Sequence, residues 1–278
     1  MARLAILGAG VMGETVLSGL LRAGWSADDI VATDRRPERE VELREAYGIR
    51  MLTNVEAVAE ADTVILVVKP QDMVDLLAEI AVVLKPDALV VSLAAGVDTA
   101  LIEGQLPAGT AVVRVMPNTP AQVDEGMAAI SPGSHSDQGH LDHVTEILSA
   151  TGRVLTVPER YQDAVTAISG SGPAYLFFVV EAMIEAGVHL GLPRDTATAL
   201  VVQTMLGSAK LLRETGEHPT VLRERVTSPG GTTAAAIRTL EDHAVRAAFI
   251  GAMEAARDRS RELASAARPV SPAAGGHL

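Results

Sequence analysis

The stretch Ser169-Gly-Ser-Gly-Pro-Ala-Tyr-Leu-Phe-Phe-Val-Val-Glu-Ala-Met-Ile-Glu-Ala-Gly-Val-His-Leu190 decides how this chain is organised. A turn-forming cluster leads into Pro173 at a first helical position, and only Glu181 and Glu185, at helical spacing, interrupt the apolar residues that follow. The pattern predicts a mostly buried helix whose first-turn amides suit an anion or a carbonyl group. Because strands alternate with helices before this point and helices alone follow it, we expect a domain junction that faces a ligand.

The length and composition limit the number of domains, the classes of binding partner and the expected location of the protein. With 278 residues, 48% hydrophobic and 21% charged, the chain is long enough for two domains. A formal net charge of -12 argues against binding nucleic acid or acidic lipid, and the lack of cysteine removes disulfides and thiolate chemistry. His140 and His143 have no acidic partner in a metal-binding pattern, so we predict no metal. The apolar run Leu4–Leu7 is too short for a signal peptide and the uncharged run 164–180 too short for a membrane span of about 20 residues, so we expect a cytoplasmic protein without membrane contact.

Residues 3–13, Arg-Leu-Ala-Ile-Leu-Gly-Ala-Gly-Val-Met-Gly, predict a short buried strand, a glycine-rich turn and the start of a helix. In a dinucleotide site Gly8 makes the turn, Gly10 lets the diphosphate approach the backbone and Gly13 lets the helix pack on the sheet. A glycine-rich turn without a ligand has the same pattern. The next predicted strand favours the dinucleotide, because it ends at Asp34, about 20 residues past the last glycine, where a ribose-binding carboxylate is expected.

Three residues at the end of that strand give conflicting signals about the cofactor. The Asp34 carboxylate favours the 2′-hydroxyl of NAD, whereas the guanidinium groups of Arg35 and Arg36 favour the 2′-phosphate of NADP through charge-assisted hydrogen bonds. Alternatively, both arginines cap a solvated turn before Pro37. On balance we expect NADPH to be the preferred cofactor, with NADH as the alternative donor.

Several predicted strands of the first half end in polar or glycine-containing turns. Ligands of open parallel sheets bind beyond the carboxyl ends of the strands, so we expect one crevice for one dinucleotide, formed at Gly8, Asp34, Lys69, Ala94 and Asn118. Lys69 has the alternative role of an ordinary loop cation, and Asn118 that of a turn former between prolines. We expect this Rossmann-like NAD(P)-binding domain to span residues 1–160.

The second half of the chain, residues 161–268, has an almost entirely helical pattern. Its Ala- and Leu-rich helices carry more apolar surface than one small bundle can bury, which indicates a dimer interface. Residues 269–278, which contain two prolines and two glycines, predict a flexible tail. The fold class is therefore an α/β Rossmann-type dinucleotide-binding domain followed by an all-α dimerisation domain.

The loop 227–233, Thr-Ser-Pro-Gly-Gly-Thr-Thr, is a second candidate for chemistry. Its glycines and hydroxyl residues stand at a predicted helix N-terminus and offer several N–H and O–H donors, an arrangement suited to a carboxylate. Alternatively, Thr232 or Thr233 caps the helix. Capping uses one hydroxyl and does not explain the glycines.

Taken together, these stretches resemble the pyrroline-5-carboxylate reductase family over nearly the whole chain. The similar segments are Gly8-Ala-Gly-Val-Met12, Val68-Lys-Pro-Gln71, Ala94-Ala-Gly96, Arg114-Val-Met-Pro-Asn-Thr-Pro120, Ser169-Gly-Ser-Gly-Pro-Ala-Tyr175, Gln203-Thr204, Val226-Thr-Ser-Pro-Gly-Gly-Thr-Thr233 and Arg259-Ser-Arg-Glu-Leu263. The resemblance implies reduction of 1-pyrroline-5-carboxylate to L-proline with NAD(P)H, the last step of proline synthesis. It also implies a homodimer with intertwined helices that assembles further into a ring of dimers.

The resemblance assigns two sets of site residues. The cofactor would contact Gly8, Ala9, Gly10, Val11, Met12, Gly13, Asp34, Arg35, Asn54, Val68, Lys69, Pro70, Gln71, Ala94 and Ala95, and the strand-end argument adds Asn118. The substrate carboxylate would contact Ser228, Gly230, Gly231, Thr232 and Thr233. Two positions depart from the resembled pattern: many relatives carry Asn or Ser in place of Asp34, and some carry a neutral amide in place of Arg225.

The expected chemistry fits loops that carry hydroxyls and amides. A protonated cyclic imine is already electrophilic, so the enzyme mainly holds the imine carbon, C5 in proline numbering, against the nicotinamide C4 and excludes water. We assign Thr233 the catalytic role, a hydrogen bond to the ring nitrogen. β-Hydroxyacid dehydrogenases share this domain order but need a Lys soon after the Ser/Gly turn, and residues 169–190 contain none. A non-enzymatic NADP-binding regulator, the other alternative, would not need the second anion loop.

Overall fold

The computed structural model describes residues 3–266. Residues 3–171 together with 256–266 form one compact unit, and residues 172–255 form another. The first unit extends beyond the expected boundary at residue 160 because Gln162, which is fully buried, donates hydrogen bonds to Ala129 O at 3.2 Å and Ser131 Oγ at 2.8 Å. The predicted tail 269–278 lies outside the described residues.

The first unit is built on an eight-stranded sheet with the order β3-β2-β1-β4-β5-β6-β7-β8. The strands are β1 (Leu4–Leu7), β2 (Ile30–Thr33), β3 (Arg50–Met51), β4 (Thr63–Leu66), β5 (Leu89–Ser92), β6 (Ala111–Met116), β7 (Gly126–Pro132) and β8 (Gly152–Thr156). Neighbouring strands are parallel except β6 and β7, which are antiparallel. The strand order reverses between β1 and β4, and open α/β sheets bind their ligands at such a switch point.

Helices cover both faces of this sheet. They are α1 (Val11–Arg22), α2 (Pro37–Tyr47), α3 (Asn54–Glu60), α4 (Met73–Ile80), α5 (Thr99–Gln105), α6 (Gln138–Ser149) and α7 (Gln162–Val165). Leu4 and Ile6 belong to one hydrophobic cluster and Ala5 and Leu7 to the other, because successive side chains of a strand point to opposite faces. Helix α5 was not among the predicted elements; Asp98 caps it by accepting a hydrogen bond from Leu101 N at 2.8 Å.

The second unit is helical. It contains α8 (Gly172–His189), α9 (Arg194–Thr215), α10 (Pro219–Arg225), α11 (Thr232–Asp242) and the first half of α12 (Val245–Ala266). Gly187 lets α8 and α9 approach closely, since a Cβ at this position would lie 2.9 Å from Ala197 Cβ. The prediction that α8 is mostly buried is wrong for the single chain, where Pro173 is its one buried residue and Phe177 and Phe178 are 68% and 72% exposed. A single chain has too little helical mass to cover this apolar helix.

The helical run Glu159–His189, with a mean hydropathy of 1.4, is long and apolar enough to cross a membrane by length and composition alone. It is irregular, since a π-helical turn, Thr166–Gly170, separates α7 from α8. It also carries Glu181 and Glu185, and carboxylates at membrane depth are costly. These features favour a protein partner over lipid as the cover of α8.

The last helix ends within the first unit. Ser260 Oγ on α12 donates a hydrogen bond to Asp163 Oδ1 at 2.8 Å. The turn at Gly96 packs against the same helix, because a Cβ on Gly96 would lie 3.4 Å from Ala264 N. Residues 256–266 are therefore part of the Rossmann unit, although they come last in the described chain.

A buried ion pair links β6 to the start of α5. The Arg114 side chain is 8% exposed, and its Nη1 donates to Glu159 Oε1 at 3.3 Å. The same carboxylate accepts hydrogen bonds from the backbone N–H of Thr99 at 2.8 Å and from its hydroxyl at 2.7 Å. Glu159 thus satisfies a buried cation and two donors at once.

We predict that Glu159→Ala lowers the free energy of unfolding by about 3 kcal/mol, because it leaves the buried Arg114 without its counter-ion. Urea unfolding followed by circular dichroism measures the change. Glu262→Ala is the matched control: it removes the carboxylate from an ion pair with Arg259 that is 65% exposed on both sides, and should cost less than about 1 kcal/mol. Equal losses in the two variants would contradict the role given to Glu159.

Candidate functional site

The glycine-rich turn after β1 has the geometry of a diphosphate-binding loop. Gly8 has a φ of 99°, and the N–H groups of Gly8 and Ala9 donate to Thr33 O at 3.1 and 2.9 Å. A Cβ on Gly13 would lie 2.4 Å from Gly8 O, so the fold itself requires this glycine. A Cβ on Gly10 would meet nothing within 4 Å. The chain's own packing therefore leaves space beside Gly10, where an outside group can approach the backbone.

Helix α1 starts at this turn without a capping side chain. Gly10 is the N-cap residue and offers no side-chain acceptor to the first-turn amides. The N–H groups of Val11, Met12 and Gly13 therefore have no helical acceptor, and together with the helix dipole they favour an anion. Val11 is 67% exposed, so this end of the helix is open to solvent.

Asp34 is held as a carboxylate at the end of β2. Arg36 donates to it from its backbone N–H at 3.0 Å and from its guanidinium at 3.0 and 3.3 Å. Burial acts to raise the pKa of Asp34, but these hydrogen bonds and the charge of Arg36 outweigh it and lower the pKa below its usual value. The Arg35 side chain points to Asp72 instead, and its Nη2 donates a hydrogen bond to Asp72 Oδ2 at 2.5 Å. Both arginines are thus paired with acids, with guanidinium groups that remain largely exposed.

A cleft of about 940 Å³ lies beyond the carboxyl ends of β1, β2 and β4. It brings together seven of the expected cofactor residues: Gly8, Gly10, Asp34, Arg35, Asn54, Val68 and Lys69. Asn54 is fixed there, because its Oδ1 accepts from Thr33 Oγ1 at 2.7 Å and its Nδ2 donates to Glu79 Oε2 at 3.0 Å. The charged lining residues are Asp34, Glu40, Glu56, Asp72, Asp75, Glu79, Arg35, Arg36 and Lys69. Acidic side chains therefore predominate in the cleft. Arg35 and Arg36, at the end of β2, form its cationic corner.

A second cavity, of about 320 Å³, shares Val67 and Val68 with the cleft. Four further expected residues line it: Met12, Ala94, Ala95 and Asn118. Asn118 Oδ1 accepts from Met127 N at 2.8 Å and its Nδ2 donates to Ser169 Oγ at 3.2 Å, so this side chain also joins β7 to the Ser169 turn. The switch point of the sheet thus offers two adjoining compartments, the second mainly apolar.

Five of the expected cofactor residues lie outside the lining of both cavities. Ala9, Val11, Gly13, Pro70 and Gln71 line neither cavity. Several lining residues were not among the predicted site residues, and Thr33, Met116 and Gly170 are examples. Met116 and Gly170 have a signal in the sequence, since they lie in the Arg114–Pro120 and Ser169–Tyr175 segments, and a Cβ on Gly170 would lie 2.4 Å from Met116 Cε.

The loop 227–233 forms a second donor-rich helix start. Gly231 N donates to Ser228 O at 3.0 Å and Gly230 has a φ of 69°, which makes Ser228-Pro229-Gly230-Gly231 a type II turn. Helix α11 begins at Thr232 with Gly231 as an N-cap that has no side-chain hydrogen bond. The alternative that Thr232 or Thr233 caps the helix is therefore wrong. The type II turn places a glycine at the cap and leaves the first amides of α11 available to a ligand.

Residues 227–233 carry no charged side chain, and the arginine nearest to them in the sequence is already paired. Thr227 Oγ1 donates to Arg223 O at 2.6 Å. Both terminal nitrogens of Arg225 donate to Glu217, at 2.5 and 2.6 Å. An anion at this loop would therefore be held by amides and hydroxyls. Within residues 3–266 no group of three His, Asp or Glu side chains could hold a metal ion, and His140 hydrogen-bonds to Asp137 N instead.

Comparison with known families and proteins agrees with this arrangement. Residues 159–263 match the family model described as pyrroline-5-carboxylate reductase dimerisation, and residues 3–96 match that of the coenzyme F420-dependent NADP oxidoreductases. The pyrroline-5-carboxylate reductase of Corynebacterium melassecola is 49% identical, and the alignment covers 95% of this chain and 99% of that protein. The enzyme of that name from Mycobacterium tuberculosis is 43% identical, with 95% and 97% covered.

Solved structures show the same fold. The pyrroline-5-carboxylate reductase of Coxiella burnetii superposes with a TM-score of 0.89 at 37% identity, over 94% of this chain and 98% of that one. A Plasmodium falciparum pyrroline carboxylate reductase with NADP bound has a TM-score of 0.85 at 27% identity, over 95% and 98%. The chain belongs to the pyrroline-5-carboxylate reductase family.

Proposed function

We propose that NADPH is the preferred hydride donor of this chain, which as a member of its family reduces 1-pyrroline-5-carboxylate to L-proline in the final step of proline biosynthesis. One observation carries the assignment of the sites. Helices α1 and α11 both begin at a glycine without a capping side chain, Gly10 and Gly231. Each start suits one anion, the diphosphate of the cofactor at the first and the carboxylate of the substrate at the second.

The cationic corner of the cleft supports NADPH over NADH. The side chains of Arg35 and Arg36 are 77% and 64% exposed, and a guanidinium carries several N–H donors, so each arginine can contact a 2′-phosphate while it keeps its ion pair. Asp34 normally favours a ribose 2′-hydroxyl, but Arg36 already occupies both of its oxygens. The Plasmodium relative, moreover, has a structure with NADP bound.

The chemistry follows from the two anion sites and the residues around them. Bound NADPH would supply the hydride to the carbon of the protonated C=N bond, which becomes C5 of L-proline, and the C=N electron pair becomes the lone pair of the proline nitrogen. The donors at Ser228, Gly230, Gly231, Thr232 and Thr233 hold the substrate carboxylate, and the Thr233 hydroxyl forms a hydrogen bond with the ring nitrogen. The apolar lining around Met12 and Val67 excludes water from the second cavity, where we place the nicotinamide.

The apolar surface of the second unit supports a dimer. Leu176, Phe177 and Phe178 on α8 are more than half exposed in the single chain, and the matching family model is named for dimerisation. We propose that the partner copy covers this helix in a homodimer and that dimers assemble further into a ring. We further propose that the enzyme is cytoplasmic, without a membrane or nucleic-acid partner.

Saturable oxidation of NADPH on addition of 1-pyrroline-5-carboxylate, with L-proline as the product, tests the proposal. A non-enzymatic regulator would bind NADPH without turnover. A β-hydroxyacid dehydrogenase would oxidise a hydroxyacid and leave the cyclic imine unchanged.

We predict that Arg36→Met shifts the cofactor preference towards NADH. The substitution removes a donor to the 2′-phosphate and frees the Asp34 carboxylate to repel it, so the ratio of kcat/KM for NADPH to that for NADH should fall at least about tenfold. Steady-state kinetics with both cofactors measure the ratio. Arg44→Met, in the helix α2 that Arg36 precedes, is the control, since Arg44 does not line the cleft. An unchanged ratio in Arg36→Met would refute NADPH selection by this residue.

Replacing Thr233 with Ala should lower kcat by about 100-fold, because the ring nitrogen loses its hydrogen-bonding partner during the reaction. The NADPH dissociation constant, measured by fluorescence titration, should stay unchanged. Thr233→Ser should retain most of the activity. Thr239→Ala serves as control, since this hydroxyl lies on the same helix and binds Ala235 O at 3.2 Å. Full activity of Thr233→Ala would remove Thr233 from the mechanism.

For Ser228→Ala we expect KM for 1-pyrroline-5-carboxylate to rise about tenfold with little change in kcat, because one hydrogen bond to a charged carboxylate is lost. The KM for NADPH should not change. Ser208→Ala, at an exposed position of α9, is the control. If KM for the imine stays at the wild-type value, Ser228 does not bind the carboxylate.

A further inference from the structure

Arg39, in the first turn of α2, contacts the glycine-rich turn after β1. The proposed function gives these contacts of Arg39 no role. Its Nε donates to Ala9 O at 3.1 Å. One terminal nitrogen donates to Glu14 and the other to Glu42 Oε2, the latter at 3.0 Å. The Arg39 side chain is only 18% exposed, and it is not among the residues that line the cleft. Arg39 is thus a well-held cation that contacts the turn without facing the ligand.

The contact with Ala9 O sets the direction of the next amide. The Ala9 carbonyl and the Gly10 N–H belong to one peptide group, and the described chain has no cis peptide bond. In a trans peptide the C=O and N–H point in opposite directions. By holding the Ala9 carbonyl, Arg39 therefore directs the Gly10 N–H away from itself. Gly10 lines the cleft, so this N–H is available to a ligand there.

The preceding peptide groups are fixed as well. The N–H groups of Gly8 and Ala9 both donate to Thr33 O on β2. Ala9 is thus held from one side by β2 and from the other by α2. This arrangement preorganises the turn, and a site whose donors are already in place avoids the entropy cost of ordering them on binding.

The contact with Glu14 is electrostatic. Glu14 lies in the first turn of α1, close to the amides that suit an anion. Burial acts to raise its pKa, but hydrogen bonds from Arg39 and from Tyr47 OH, the latter at 2.9 Å, outweigh it and lower the pKa below its usual value. Glu14 is therefore ionised at neutral pH. An uncompensated carboxylate at this end of the helix would repel a diphosphate, and Arg39 provides the compensating charge.

We propose that Arg39 is a positioning residue for the cofactor: it holds the Ala9 carbonyl and neutralises Glu14, so that the amides at the start of α1 receive the diphosphate. The inference rests on the proposed function, since it needs a dinucleotide at this turn. Arg39 sets the affinity for the cofactor without touching it. The chemical step does not involve Arg39.

The test compares NADPH binding with turnover in Arg39→Met. The dissociation constant of NADPH, measured by fluorescence titration without substrate, should rise about tenfold, because a charged hydrogen bond to the turn and the compensation of Glu14 are both lost. The value of kcat at saturating NADPH should change less than about twofold, since uniform binding energy does not enter kcat. Arg22→Met is the matched control. It breaks the exposed Arg22–Asp124 ion pair at the other end of α1 and should leave NADPH binding unchanged.

A second variant separates the two contributions of Arg39. Adding Glu14→Gln to Arg39→Met removes the uncompensated charge and should recover part of the lost affinity. Unchanged NADPH affinity in Arg39→Met, with or without a lower unfolding temperature, would reduce Arg39 to a structural role and overturn the inference. If Arg39→Met does not fold, Arg39→Lys gives the same decision, because Lys keeps the charge but cannot reach three partners. Failure of the wild-type chain to bind NADPH would instead overturn the proposed function.

Discussion

The site depends on the backbone amides at the start of a helix, because the first N–H groups there have no helical acceptor. Thr53, Asp98 and Asp137 satisfy some of these groups at α3, α5 and α6, whereas α2, α4 and α9 begin at a residue other than glycine that makes no side-chain cap. Helices α1 and α11 start instead at Gly10 and Gly231, without such a cap. Compared with a capping Ser or Asp, glycine costs only a few tenths of a kcal/mol at each of these ends. In return, each end keeps its donors for a ligand.

The Rossmann half of the site is predictable from the sequence because it depends on residues close together in the chain. The glycine spacing, the buried strand β1 and the acid after β2 each extend over a few residues, and the switch point follows from the strand order. The acids with which Arg35 and Arg36 pair are not predictable in this way. Only the fold shows that Arg36 turns back on Asp34 while Arg35 reaches Asp72, 37 residues along the chain. Which acids Arg35 and Arg36 face at this strand end is therefore a matter of side-chain direction, which the sequence does not give.

The remaining features depend on contacts that are distant in the chain or outside it. The bond between Ser260 and Asp163 spans 97 residues, and it places the end of α12 in the first unit. The exposure of α8 reflects a surface that one chain cannot cover, so an apolar sequence predicted a buried helix where the single chain buries only Pro173. The start of α11 depends on one turn: once Pro229 and Gly230 form a type II turn, Gly231 becomes the cap and both threonines fall inside the helix.

The neutral character of the loop at Gly231 has a consequence for turnover. The substrate carboxylate is unchanged in the transition state and in L-proline, so its contacts bind all three equally and cannot raise kcat. An arginine at this position would strengthen the hold on product as much as on substrate and slow its release. Arg225, the cation next to the loop in the sequence, is instead paired with Glu217. Discrimination in favour of the transition state must therefore come from contacts to the C=N bond, where the nitrogen changes from a planar iminium to an amine, and this is the position that we propose for the Thr233 hydroxyl.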